Sequence, residues 1–225
     1  MCTMTVCGLR ILNSYIRRNK LLTRLIFGVR IPDSNYIHWD FTTLALRKAL
    51  KRMVRNKPNF LEIGTGPYAM LAIYLYRRGY LRIIANDINQ DYVQSALKTV
   101  SLNDADFMIV KSDLFSNIKG KFDIILFNSV YIPRRKGQEL MLNLIHQSET
   151  HWCGGDSGKE IIERFLKKAA DHLSPDGAVF LGFNPYYLPE DRMHQIVKQY
   201  NYRVLHQTKS RFIPSTVFIL KRDST

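Results

Sequence analysis

The residue pattern with the clearest chemical content is a carboxylate followed by two glycines, Glu62-Ile63-Gly64-Thr65-Gly66. An apolar run over residues 59–63 leads into it, and a segment with helical periodicity, residues 69–78, follows. This order predicts strand, tight turn and helix, the opening of a nucleotide-binding βαβ unit. Glycine suits a turn that passes close to a ligand, because it has no Cβ atom. Ala69 replaces the third glycine of a dinucleotide-binding turn, and Glu62 would repel a pyrophosphate. We therefore expect a cationic ligand, such as a sulfonium with a free ammonium group.

Two further carboxylates follow neighbouring predicted strands. Asp87 ends the apolar segment 81–87, and Asp113 follows the strand predicted over residues 106–110. Adjacent parallel strands end at the same edge of a sheet, so Asp87 could accept hydrogen bonds from both ribose hydroxyls of an adenosine. Asp113 could accept one from the adenine amino group. The alternatives are structural: Asp87 could cap the next helix, although Asn89 is the better candidate, and Asp113 could belong to a turn.

Strand and helix patterns alternate along the chain, which predicts an α/β fold. We expect a Rossmann-like, doubly wound, seven-stranded and mostly parallel sheet with an N-terminal helical extension. The strands are predicted at 59–63, 81–87, 106–110, 122–128, 178–183, 202–205 and 216–220. The helices are predicted at 42–54, 69–78, 88–102, 137–146, 159–173 and 189–199, with a turn at 174–177. Residues 1–55 would form a basic helical extension with a lid loop, and residues 56–225 the ligand-binding domain.

The N-terminal segment allows several interpretations. Residues 9–30 have apolar positions near the helical period and six basic residues without an acid. This predicts a helix packed on the domain, but a surface for RNA or anionic lipid and a transit-peptide-like segment stay open. Residues 31–40 predict a loop. It carries Tyr36, His38, Trp39 and Asp40, and it would be either a loop anchored in the core by Trp39 or a lid over the site.

Whole-chain composition limits the class of protein. The 225 residues suit one α/β domain with a short extension. The net charge of +14 favours an anionic partner such as RNA, the ribosome or an acidic protein surface, with a solvated basic surface as the alternative. No apolar run reaches the roughly 20 residues that span a bilayer, so we expect no integral membrane association. Cys2, Cys7 and Cys153 form neither a metal motif nor a disulfide framework, which fits a reducing cytoplasm.

Four stretches carry a family resemblance: residues 62–66, 86–89, 112–115 with 122–128, and 152–166 with 173–177. They resemble motifs of class I S-adenosylmethionine-dependent methyltransferases. The likeness is greatest to HemK-type glutamine methyltransferases that modify translation release factors, especially their archaeal and eukaryotic branch. The loop Trp152-Cys153-Gly154-Gly155 before a helix is the most specific of these features.

The resemblance implies S-adenosyl-L-methionine as cofactor and S-adenosyl-L-homocysteine as product, and it implies no metal. The glycine turn would lie under the methionine part of the cofactor. The implied cofactor-binding residues are Glu62, Gly64, Thr65, Gly66, Asp87, Ile88, Asp113, Leu114 and Asn128.

The resemblance also implies catalytic roles for Asn128 and Tyr131. In the family, the Asn side-chain oxygen and the next carbonyl, here that of Ser129, accept hydrogen bonds from a planar –NH2 group, and the tyrosine stacks on the amide or base. The family's Asn-Pro-Pro-Tyr is Asn128-Ser129-Val130-Tyr131 here, so the loop must be held without prolines. Tyr36, His38, Trp39 and Ser129 are the expected substrate-facing residues. A second Asn-Pro-x-Tyr motif, residues 184–187, follows the fifth strand. It predicts a turn, and a place in the wall of the substrate pocket is the alternative.

Methyl transfer depends mainly on positioning, and the sequence has no Ser/His/Asp order and no general-base carboxylate pair. We expect transfer to a planar nitrogen in a protein glutamine side chain or a nucleobase. Methylation of a small molecule or peptide is the alternative, and a catalytically inactive cofactor- or RNA-binding module is a third hypothesis. The acceptor would be a protein, RNA or the ribosome, or a small molecule. The resemblance leaves room for a small activator subunit, which some relatives need.

Overall fold

The computed structural model describes residues 15–33, 37–53, 58–143, 149–210 and 214–223. Seven strands of these residues form one sheet in the order β3-β2-β1-β4-β5-β7-β6. All pairs are parallel except those made by β7. The strands are β1 Phe60–Ile63, β2 Ile83–Asp87, β3 Met108–Lys111, β4 Phe122–Asn128, β5 Leu173–Phe183, β6 Tyr202–Lys209 and β7 Thr216–Arg222. The predicted seven-stranded, mostly parallel sheet is confirmed.

Helices cover both faces of the sheet. They are α1 Lys20–Phe27, α2 Phe41–Met53, α3 Met70–Tyr76, α4 Gln90–Leu102, α5 Arg134–Glu139, α6 Glu160–Ala169 and α7 Glu190–Gln199. The apolar core divides into two clusters, and β4 contributes Ile124 and Leu126 to one and Ile125 and Phe127 to the other. A strand covered on both faces must be apolar at successive positions, which explains the near-continuous apolar run of β4.

The strand order places a crevice at the centre of the sheet. The chain moves outward from β1 through β2 to β3, and then returns to place β4 on the other side of β1. Where the order reverses, the loops after β1 and β4 diverge and leave a crevice at the carboxyl ends of the strands. The glycine turn follows β1, Asp87 ends β2, and Asn128 ends β4.

Four details of the predicted elements are wrong. The strand predicted at 202–205 continues to Lys209. The N-terminal helix is interrupted at Asn19, whose extended backbone and side chain cap α1. The helix predicted at 137–146 begins at Arg134, since Pro133 supplies a fixed φ before its first turn; residues 144–148 lie outside the described part. The turn predicted at 174–177 is an irregularity inside β5, where the pairing with β4 shifts register.

The N-terminal segment packs on the domain along one side only. Phe27, Val29 and Ile31 are buried in the core, which agrees with the first interpretation for the described part of the segment; residues 9–14 lie outside the described residues. Leu21 and Leu25, however, are 67 % and 74 % exposed. The division of the chain near residue 55 stays a prediction. No helix in the described ranges is long and apolar enough to cross a membrane.

Candidate active site

A cavity of about 580 Å³ lies at the carboxyl ends of β1, β2 and β4. Its wall contains every predicted site residue that the structure describes, namely His38, Trp39, Glu62, Gly64, Thr65, Gly66, Asp87, Ile88, Asp113, Leu114, Asn128, Ser129 and Tyr131. Tyr36 lies outside the described residues. The predicted residues thus come from five segments of the chain and meet around one space.

Glu62 is a buried carboxylate on the cavity wall. Its Oε2 accepts hydrogen bonds from Thr65 Oγ1 at 2.9 Å and from the backbone N–H of Ala72 at 3.0 Å. The pKa of Glu62 is raised to about 7, mainly by burial and to a smaller extent by the charge of Asp87, while the two hydrogen bonds act to lower it. Ionisation of this buried carboxyl group costs free energy, and a cationic group in the cavity would therefore stabilise the ionised form of Glu62.

Asp87 and Asn86 hold the glycine turn against β2. Asp87 Oδ2 accepts from the backbone N–H of Gly66 at 2.9 Å, and Asn86 Oδ1 accepts from that of Gly64 at 3.2 Å. Burial raises the pKa of Asp87, while hydrogen bonds from backbone N–H groups lower it. Asn89 caps α4, as expected.

The turn is shaped to admit a ligand. Gly64 and Gly66 have φ of +65° and +66°, a region that favours glycine. A Cβ placed on Gly66 would meet no atom within 4 Å, so the turn borders open space. Two carboxylates beside an open glycine turn fit a ligand that carries an ammonium group and ribose hydroxyls, and S-adenosylmethionine has both.

Asn86 is a site residue that sequence reasoning did not single out. Its Nδ2 donates to the carbonyl of Leu114 at 2.6 Å, so one side chain ties the loop after β3 to the glycine turn. Asn86 is 1 % exposed. A buried amide near the end of β2, with hydrogen bonds at both its oxygen and its nitrogen, explains why this position suits Asn. Its position directly before Asp87 in a predicted parallel strand could have indicated from the sequence that Asn86 is a site residue.

Asp113 is on the rim rather than inside the cavity. Its side chain is 42 % exposed and forms an ion pair with Arg164, with a distance of 2.7 Å between Oδ2 and Nη2. Ile88 is 45 % exposed on the same wall. The adenine contact predicted for Asp113 stays a prediction, and Arg164 would share that end of the cavity.

The side-chain amide of Asn128 forms hydrogen bonds through its nitrogen but not through its oxygen. Its Nδ2 donates to Asp40 Oδ1 at 3.1 Å and to Thr43 Oγ1 at 3.3 Å. Its Oδ1 is buried and accepts no hydrogen bond from the described residues. A buried carbonyl oxygen without a partner costs about 1–3 kcal/mol, which a ligand N–H would recover. Sequence reasoning placed Asp40 only in the possible lid loop and did not single out Thr43, although Asp three residues before Thr at a helix start is a recognisable capping pattern.

The loop after β4 is held by β5 and by residues 152–158 instead of by prolines. Ser129 donates to the carbonyl of Gly182 from its backbone N–H at 3.1 Å and from Oγ at 2.7 Å. Ile132 donates to the carbonyl of Trp152 at 3.2 Å and accepts from the N–H of Gly154 at 3.0 Å. These bonds anchor the loop on both sides of Val130.

Two glycines make this packing feasible. A Cβ on Gly154 would lie 2.8 Å from the carbonyl oxygen of Val130, and one on Gly158 would lie 2.5 Å from that of Tyr131. The Gly-rich segment therefore acts as a clamp on the Asn128–Tyr131 loop.

Tyr131 is buried and faces the second Asn-Pro-x-Tyr segment. Its ring stacks on that of Tyr187 with 6.2 Å between centroids and 27° between planes. Burial raises the pKa of Tyr131, so it stays protonated at any physiological pH. Residues 184–187 do form a turn, as predicted. Asn184 and Tyr187 also line the cavity, which agrees with the alternative interpretation of this segment.

His38 reaches the cavity as a neutral side chain. Burial lowers its pKa to about 4, helped by the charges of Lys20 and Arg18. Thr23 Oγ1 donates its one proton to the carbonyl of Asn19, so His38 Nδ1, 2.8 Å away, is the donor to Thr23. The other ring nitrogen, Nε2, then carries a lone pair, and it is buried without a partner in the described ranges. Trp39 packs between Phe27 and Phe41, as the core-anchor interpretation expected.

Comparison with known proteins decides the family. The model of the methyltransferase small domain matches residues 36–155, just over half of the chain. The chain belongs to the methyltransferase small domain family. The matched region begins before β1 and ends in the glycine-rich loop, so it contains most of the cavity wall. The prediction of a Rossmann-like, S-adenosylmethionine-dependent methyltransferase is thereby confirmed at the level of family and fold.

Individual relatives agree with this membership. A protein of Methanocaldococcus jannaschii, provisionally named a protein N5-glutamine methyltransferase, is 35 % identical over 126 residues, which are 56 % of this chain and 61 % of that protein. The release factor glutamine methyltransferase of Streptococcus pneumoniae is 32 % identical over 123 residues, 54 % of this chain and 44 % of that protein. The chain thus spans about half the length of these curated relatives. A crystal structure of a methyltransferase from Pyrococcus furiosus superposes with a TM-score of 0.66 at 21 % identity, covering 96 % of this chain and 97 % of that one.

Proposed function

We propose that this protein transfers a methyl group from S-adenosylmethionine to a planar nitrogen, in a protein glutamine side chain or a nucleobase amino group. Bound S-adenosylmethionine would supply an electrophilic methyl group on a good leaving group. The protein's own task is then to hold the acceptor nitrogen in line with that methyl group, and such positioning can account for most of the rate enhancement.

The unpartnered Oδ1 of Asn128 is the observation that carries this proposal. Asp40 and Thr43 occupy the amide nitrogen, so Asn128 offers the acceptor only a carbonyl oxygen. A carbonyl oxygen binds an N–H donor. An amide or aromatic –NH2 bound in this way has its lone pair directed out of the plane of the hydrogen bonds, which leaves that lone pair for the methyl group.

Two buried carboxylates support the cofactor assignment. Glu62 would face the ammonium group, and Asp87 the ribose hydroxyls, once the backbone N–H of Gly66 shares or gives up that carboxylate. Tyr131 and Tyr187 would confine the planar acceptor, with Trp39 and His38 on the wall formed by residues 37–43.

The acceptor class is a protein or RNA of the translation apparatus in this proposal. The names of the two relatives, a protein N5-glutamine methyltransferase and a release factor glutamine methyltransferase, favour a glutamine side chain. The net charge of +14 favours a partner that carries negative charge. A reducing cytoplasm stays the proposed location, and a small activator subunit stays open.

The substitution Asn128→Ala tests the proposal. We expect turnover to fall at least 100-fold, while the dissociation constant for S-adenosylhomocysteine, measured by calorimetry, stays within about threefold. Asn117→Ala, which removes an exposed amide hydrogen bond on the surface, is the control and should keep both values. If Asn128→Ala kept full turnover, the proposal that Asn128 positions an acceptor nitrogen for methyl transfer would be rejected.

The acceptor itself is identified with S-adenosylmethionine carrying a tritiated methyl group. The protein is incubated separately with ribosomal and release-factor fractions, with total RNA and with a small-metabolite extract. Label in a glutamine side chain or a nucleobase supports the proposal. Label only in small metabolites supports the alternative function, and cofactor binding without label in any fraction supports an inactive module.

A further inference from the structure

Asp40 contacts both the start of α2 and the side chain of Asn128. Its Oδ1 accepts hydrogen bonds from the backbone N–H of Thr43 at 2.7 Å and from Thr43 Oγ1 at 2.6 Å. The same oxygen accepts from Asn128 Nδ2 at 3.1 Å. The first two bonds are those of a helix N-cap. The third joins this cap to a residue 88 positions further along the chain.

The chemistry of these groups fixes which way the Asn128 amide faces. An ionised carboxylate can only accept hydrogen bonds, so the group turned toward Asp40 must be the –NH2. The Thr43 hydroxyl gives its proton to Asp40, so it also presents a lone pair, 3.3 Å from Nδ2. Both neighbours of Nδ2 are therefore acceptors, and Oδ1 must face the other way.

Rotation of the amide would otherwise be nearly free. The terminal torsion of an Asn side chain is broad and roughly two-fold, so intrinsic preference does not choose between the two orientations. A flipped amide would present N–H groups to the cavity and would bind an oxygen acceptor instead of an –NH2 donor.

We propose that Asp40 is a positioning residue, which holds the Asn128 amide so that Oδ1 receives the acceptor's N–H. This inference rests on the proposed function. In this arrangement a single carboxylate oxygen, Asp40 Oδ1, both caps α2 and sets the orientation of the acceptor nitrogen through Asn128. It also gives residues 37–43 a role in discriminating nitrogen from oxygen acceptors, because they decide whether Asn128 accepts or donates.

Two substitutions of Asp40 separate the cap from the contact with Asn128. Asp40→Asn keeps an oxygen at the same distance from the backbone, so it should cap α2, orient Asn128 and retain turnover within about fivefold. Asp40→Ser keeps a good N-cap, but its hydroxyl is one atom closer to the backbone and does not reach Nδ2. Asn19→Ser makes the same kind of cap replacement at α1, and it controls for the general effect of exchanging a cap.

The first readout is independent of catalysis. In protein labelled with 15N in asparagine, the side-chain signals of Asn128 are those missing from the spectrum of Asn128→Ala. We expect its Nδ2 protons to exchange with solvent at least tenfold faster in Asp40→Ser than in the wild type, in Asp40→Asn or in Asn19→Ser. The second readout is transfer of labelled methyl into the fraction that the wild type methylates. It should fall 10- to 100-fold in Asp40→Ser, with affinity for S-adenosylhomocysteine within about twofold.

Wild-type exchange of the Asn128 amide in Asp40→Ser, or wild-type turnover in that variant, would overturn the inference. Failure of the proposed function has a different signature, namely wild-type turnover in Asn128→Ala. The exchange measurement is informative in either case, because it reports on the amide itself.

Discussion

Replacement of Glu62 by Gln should make the protein more stable at alkaline pH. Burial raises the pKa of Glu62 from its ordinary 4.5 to about 7. A carboxyl group with a raised pKa in the folded state stabilises the fold fully below pH 4.5, and this stability is lost as the pH rises through 7. The pKa difference corresponds to about 3 kcal/mol. Gln keeps an oxygen for the N–H of Ala72 and the hydroxyl of Thr65, and it does not ionise.

The assay is the melting temperature of both proteins at pH 4.5 and pH 8.5. The effects of other titrating groups cancel when the stability of the wild type is subtracted from that of Glu62→Gln. This stability difference should grow in favour of Glu62→Gln by about 3 kcal/mol from pH 4.5 to pH 8.5, which corresponds to roughly 6–12 °C in melting temperature for a chain of this size. Glu139→Gln, at a half-exposed carboxylate paired with surface cations, is the control and should change the melting temperature by less than about 2 °C at either pH.

The same substitution should weaken the cofactor. Ionised Glu62 would pair with the ammonium group, so we expect affinity for S-adenosylmethionine to fall at least tenfold in Glu62→Gln at pH 8. At pH 6, binding to the wild type should release protons, which calorimetry in two buffers of different ionisation enthalpy detects. The reasoning would be refuted if the stability of the wild type changed with pH in the same way as that of Glu62→Gln. Equal affinity of both proteins for S-adenosylmethionine would also refute it.

Three further predictions concern the loops around the cavity. Gly158→Ala should lower stability by about 2 kcal/mol or more and reduce turnover, measured by thermal melting and methyl transfer, because its Cβ would lie 2.5 Å from the carbonyl of Tyr131 at a φ of +83°; an unchanged melting temperature would contradict this. Ser129→Ala should cost about 1 kcal/mol in chemical denaturation through loss of the bond to Gly182, and a neutral effect would show that the backbone bond suffices. Asn86→Ala should weaken S-adenosylhomocysteine binding about tenfold in calorimetry, since the glycine turn loses its tie to the loop after β3; unchanged affinity would argue against that tie.

The sheet could be predicted from sequence because each strand has a strong local pattern. The run Phe122–Asn128 is apolar on both faces, and the structure begins and ends β4 at those residues. The errors occur where tertiary contacts override such patterns. Residues 174–177 have turn chemistry, yet β5 continues through them because Leu173 pairs with Phe122. Asn19 interrupts the N-terminal helix because its side chain caps the next one.

The candidate site could be predicted where function coincides with strand ends. Glu62, Asp87 and Asn128 lie at the carboxyl ends of three parallel strands, and parallel topology alone brings them to one edge. Contacts between distant segments could not be read in this way. The bond between Asp40 and Asn128 and the stacking of Tyr131 on Tyr187 depend on how α2 and β5 pack against β4, and neither the spacing nor the residue types specify that packing.

A crystal structure with S-adenosylhomocysteine bound tests the central claim most directly. The account predicts the ammonium group near Glu62, the ribose at Asp87, and the sulfur facing the side of the cavity where Asn128 Oδ1 lies. A ligand whose sulfur points away from Asn128, or one bound outside this cavity, would contradict the account.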